Sequence, residues 1–140
     1  MNKVLGIIFR RGIGLLIYLI LLGIANLISW SNPTFVQTIF FLNSSLGIII
    51  FFTVFFLVGE IFNVLKFPWN IPGPIFNAIG ALLMVTFFLS IFNLLGTVVD
   101  STLATVFTEL APMASFVVFF IVLIVGYVKV FKSMPMKKNK

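Results

Sequence analysis

The sequence contains no cysteine and no histidine. Disulfides, thiolate metal sites and histidine-ligated zinc or haem are therefore outside its chemistry. Acidic residues number only three, Glu60, Asp100 and Glu109. Three carboxylates so widely spaced make no metal or hydrolase centre, so no metal, no cofactor and no catalytic residue are assigned, and the chain is read as a non-enzyme. Charge as a whole is scarce, at 9% of residues. A water-soluble domain carries about 25%, so too few polar side chains exist to cover a surface facing water.

Apolar side chains fill that space. Hydrophobic residues make up 61% of the 140, nineteen of them phenylalanine, and the mean hydropathy is +1.27. Disorder is excluded on the same ground. The net charge of +6 does not signal nucleic-acid binding, because the basic residues flank apolar runs instead of forming a stripe on a polar face.

Four runs are long enough to cross a bilayer, 12–30, 46–65, 74–96 and 114–131; about 20 apolar residues suffice for one helix. The expected fold is an all-α integral membrane protein with four transmembrane helices. Lys3, Arg10 and Arg11 could open a signal peptide, but Ser29-Trp30-Ser31 is a poor cleavage site, and the first run is taken as retained. Lys3, Arg10 and Arg11 precede run one, and Lys66 lies between runs two and three. Lys129, Lys132, Lys137, Lys138 and Lys140 close the chain, whereas 31–45 and 97–113 contain no Lys or Arg. The positive-inside rule then places both termini and the 66–73 turn in the cytoplasm of a multi-pass protein of the cell membrane. The basic tail, 132–140, meets anionic lipid. Trp30 at the outer interface, with Trp69 and Lys66 at the inner one, are the expected anchors.

Shifted by 67 residues, the chain matches itself at Gly6/Gly73, Phe9/Phe76, Asn26/Asn93, Thr38/Thr105, Gly59/Gly126 and Pro68/Pro135, among others. A fixed period indicates duplication. The expectation is two tandem hairpins, 6–68 and 73–135, forming a parallel internal repeat within a single membrane domain, 1–140. Each hairpin would carry a short amphipathic outer segment. For 31–45, Asn32 is the expected N-cap with Pro33 in the first helical position; for 100–112, Asp100 is the cap.

Glu60 is the candidate for chemistry. It lies about six residues before the inner end of the second run, roughly 8 Å deep at 1.5 Å per residue. Asn63 follows at i+3, and Asn77 stands at similar depth in the next helix. Glu60, Asn63 and Asn77 are the candidate polar cluster, either as a proton or cation site or as an interhelical clamp, with Arg10, Arg11 or Lys66 as alternative partners for the acid. Asn26 and Asn93 are expected to bridge helices. Gly73, Asn77, Gly80, Ala81 and Met84 line one side of the third run and permit close packing.

These features point to an accessory or scaffold subunit of a larger membrane complex. The alternative is an oligomeric pore, holin-like, or a small transporter that uses Glu60. The partners implied are the lipid bilayer together with other membrane subunits or further copies of the chain, and no nucleic acid.

Overall fold

A computed structural model describes residues 3–28, 31–99 and 101–134. Trp30, Asp100, Pro135 and the tail from 135 onward lie outside the described residues, so the Trp30 anchor, the Asp100 cap and the last repeat pair do too. Among the described residues there are five helices and no strand: α1 (Lys3–Leu27), α2 (Pro33–Ser44), α3 (Leu46–Val64), α4 (Gly73–Val99) and α5 (Ser101–Lys132). Four of them, α1, α3, α4 and α5, are long and apolar enough to cross a membrane, which is compatible with a multi-pass membrane protein.

The helices stand as a row in the order α1, α3, α4, α5, each antiparallel to the next. Pairings give the register. Arg11 meets Glu60, Phe62 stacks on Phe76 with ring centroids 5.6 Å apart, and Phe92 stacks on Phe107 at 5.0 Å. The contact of α4 with α5 is the most extensive, that of α3 with α4 is next, and α1 touches α3 far less. Fully buried positions concentrate in the first half of α4: Gly73, Pro74, Ala78, Gly80 and Ala81. Small residues there let neighbouring backbones approach, as the sequence pattern anticipates. Large apolar side chains elsewhere remain exposed, such as Leu16, Phe51, Phe116 and Ile124. In water that surface would be untenable; in hydrocarbon it costs nothing.

Among the described residues α1 runs from Lys3, nine residues ahead of the 12–30 apolar run, because Val4 to Arg11 contains no breaker stronger than Gly6 and the helix simply propagates. One boundary differs from expectation. The outer segment 101–112 is not a separate helix. It forms the first three turns of α5, a 32-residue helix with Pro112 inside it. Proline has no N–H to donate and normally interrupts a helix. Packing offsets the penalty here, since Phe107 on one side of Pro112 stacks on α4, and Gly126 on the other meets Pro74 of α4.

The 31–45 segment does form the expected capped helix. Asn32 caps α2, its side-chain oxygen accepting from the Thr34 N–H at 2.9 Å, with Pro33 in the first turn. Ser45 alone then separates α2 from α3, just after Asn43 and Ser44. Polar side chains compete with the helical ladder there: Ser44 Oγ donates to the Phe41 carbonyl at 2.8 Å, and Asn43 is drawn away to α1.

The inner turn, residues 65–72, is a chain of tight turns, with Trp69 N–H donating to Lys66 O, Ile71 N–H to Pro68 O and Gly73 N–H to Asn70 O. Phe67-Pro68 is a cis peptide. Pro72 ends the turn and its carbonyl receives the first amides of α4.

Candidate functional site

The antiparallel register brings the N-terminal end of α1, the C-terminal end of α3, the N-terminal end of α4 and the C-terminal end of α5 to one end of the row. Lys3, Arg10, Arg11, Lys66, Lys129 and Lys132 all fall there. The polar groups at this end divide into two separate sets, one on each flank of the α3–α4 pair.

The first set ties α1 to α3. Glu60 accepts from Arg10 Nη2 at 3.2 Å through one carboxylate oxygen and from Arg11 Nη2 through the other. The Arg11 guanidinium also lies over the Phe56 ring, 5.3 Å from its centroid, a favourable face for a cation. Glu60 thus turns to the arginines, one of the two arrangements its position allows.

The second set is made of amides. Asn63 of α3 packs against Gly73 of α4, and Asn77 of α4 packs against Gly59 of α3. A methyl group at Gly59 would stand 2.7 Å from Asn77 Cγ and 3.1 Å from its backbone nitrogen; one at Gly73 would stand 3.2 Å from the Gly59 carbonyl. A side chain at either position would force the facing amide and the neighbouring helix backbone to shift. The two pairs are equivalent under exchange of the helices, and the Phe62–Phe76 stack sits between them. The sequence encodes this directly: GEIFN at 59–63 and GPIFN at 73–77 are the same motif fourteen residues apart.

Asn63 and Asn77 also line a groove of about 480 Å³ together with Asn70, Lys129, Ser133 and the α5 side chains Ile121, Val122, Val125, Gly126 and Val130. Glu60 is not among its walls. The candidate cluster is therefore divided: Asn63 and Asn77 share a groove, while Glu60 serves the opposite flank. Asn70 is buried, 5% exposed. Its Nδ2 donates to Ser133 Oγ at 3.0 Å, and Ser133 Oγ donates to the Val130 carbonyl at 2.6 Å. The inner turn is thereby pinned to the end of α5.

At the opposite end, Asn26 and Asn43 exchange two hydrogen bonds, 2.8 and 3.1 Å, and Asn26 Nδ2 also donates to Leu22 O at 2.8 Å. Asn26 thus bridges α1 to α2. Tyr18 Oη adds a bond of 3.3 Å to Leu42 O. Asn93 lines a cavity of about 340 Å³ between α4 and α5, with Ser90, Thr108 and Ser115. Of the expected anchors, Trp69 is 70% exposed at the tip of the inner turn and Lys66 is exposed beside it.

Asn70, Lys129 and Ser133 are absent from the sequence-derived site. The repeated G-x-I-F-N motif was the available signal for the groove, but its spacing differs from the 67-residue period. No protein-family model matches the chain, and no curated protein or solved structure matches it either.

Proposed function

We propose that this chain is a four-span protein of the cell membrane, both termini cytoplasmic, serving as a non-catalytic accessory or scaffold subunit of a larger membrane assembly. The observation that carries this reading is the open α1 flank. Leu22 is the only buried residue of α1, and a methyl group added at Gly6, Gly12, Gly14 or Gly23 would meet nothing within 4 Å. A helix rich in glycine yet without a close neighbour leaves backbone accessible to a partner helix. The cytoplasmic assignment draws on charge: every described Lys and Arg falls at one end of the row, while Glu109 lies toward the other.

The tandem duplication belongs to this proposal. Gly59 and Gly126, equivalent in the 67-residue register, both close on the first turns of α4, at Asn77 and Pro74 respectively. The separate α2 of the first half and the fused helix of the second would then have diverged at Asn43-Ser44-Ser45.

The oligomeric pore or small transporter stands as the second reading. It requires Glu60 to exchange protons or ions, and two guanidiniums already occupy both of its oxygens. Extraction in a mild detergent followed by mass determination of the intact particle separates the two. The subunit reading expects the 15.7 kDa chain to travel with a different protein. A particle made only of copies of this chain, with flux in liposomes abolished by Glu60→Gln, supports the pore. A lone monomer contradicts both.

A further inference from the structure

We propose that the groove between the ends of α3 and α5 binds the headgroup of an anionic phospholipid, such as phosphatidylglycerol. The polar end of the groove is fixed in place: Asn70 is 5% exposed and donates to Ser133 Oγ at 3.0 Å, which ties the 65–72 turn to the end of α5.

The same groove holds Lys129, and no carboxylate pairs with it among the described residues. A ligand that complements this end carries an anion for Lys129, and the Asn63 and Asn77 amides can donate to it as well. Beyond them the wall becomes aliphatic, with Val125 and Ile121 on α5. Ile121 lies eight residues from Lys129, about 12 Å along the helix, so a polar mouth at the basic end leads to an apolar channel toward the middle of the row. That is the shape of a headgroup joined to an acyl chain, and basic pockets between helices at the cytoplasmic interface suit anionic lipid.

This inference rests on the chain spanning a membrane and is independent of the subunit role. The test uses the whole chain in mild detergent, offered lipids of identical acyl chains, with retention read by native mass spectrometry. Phosphatidylglycerol is expected to be retained about five- to tenfold over phosphatidylcholine, the worth of one lysine beside an anionic headgroup. Phosphatidylmethanol, which carries the same charge, is expected to be retained over phosphatidylcholine as well. Lys129→Gln is expected to remove the preference; Lys132→Gln, outside the groove, to preserve it. Equal retention of phosphatidylglycerol and phosphatidylcholine, an unaffected Lys129→Gln variant, or displacement of the lipid by free glycerol phosphate would each overturn it. A chain that stays dispersed without detergent would instead defeat the membrane reading itself.

Discussion

The two flanks of the α3–α4 pair are built from different interactions. On the α5 flank, shape does the holding: Gly126 closes on Pro74, and a methyl group there would lie 2.7 Å from Pro74 Cβ. On the α1 flank, charge does it: Glu60 spans two arginines, and the glycines of α1 stand clear of any neighbour. Close packing in a low-dielectric setting is short-ranged and intolerant of added volume, whereas an ion pair holds long side chains across a gap. The α5 flank is therefore the rigid half of the row and the α1 flank the adjustable half. A subunit that must dock would present the adjustable side.

The largest expected effect breaks the rigid flank. Gly126→Leu forces α5 away from Pro74 and is expected to cost about 1–3 kcal/mol of stability, as overpacking does. Gly23→Leu on α1, where space is open, is expected to change stability by less than about 0.5 kcal/mol. Thermal unfolding in detergent measures both, and equal effects would abolish the distinction between the flanks. Next comes Glu60→Gln, which leaves two arginines unpaired and costs about 1 kcal/mol, discounted for the partial exposure of the pair. Its mark is local: amide exchange across residues 3–16 rises while that of α4 holds. The double exchange Arg11→Glu with Glu60→Arg is expected to restore protection in part. Asn26→Ala follows, expected to cost about 0.6 kcal/mol, the average for a membrane hydrogen bond, and it loosens α2 alone.

What the sequence made legible follows the range of the force involved. The helical class and the four apolar runs depend on composition within about 20 residues, and they were readable. The ends were not. Whether 101–112 stands apart from the fourth run depends on Phe107 meeting Phe92 and on Gly126 meeting Pro74 across the α4–α5 contact, which no local pattern encodes, and Pro112 argued locally for a break. Glu60 was legible as an acid in need of a partner, with Arg10 and Arg11 among the options, because an unpaired charge at that depth is costly. Its separation from Asn63 and Asn77 was not legible. Residues at i and i+3 share a broad helical face, yet α1 and α4 divide that face between them. Asn70 was invisible for a simpler reason: its hydrogen-bond partner, Ser133, lies 63 positions along the chain.

All of these contrasts presuppose four crossings, with the basic end of the row on one side of the bilayer. The absence of cysteine makes that directly measurable, since each introduced thiol is the sole one in the chain. Single-cysteine variants at Lys66, Thr102 and Lys132, probed in intact cells with a membrane-impermeant maleimide, give the answer. The account predicts that Thr102→Cys is labelled from outside, and that Lys66→Cys and Lys132→Cys are labelled only after the cells are opened. Labelling of Lys66 and Lys132 from opposite sides, or of Thr102 from the same side as Lys66, would contradict it.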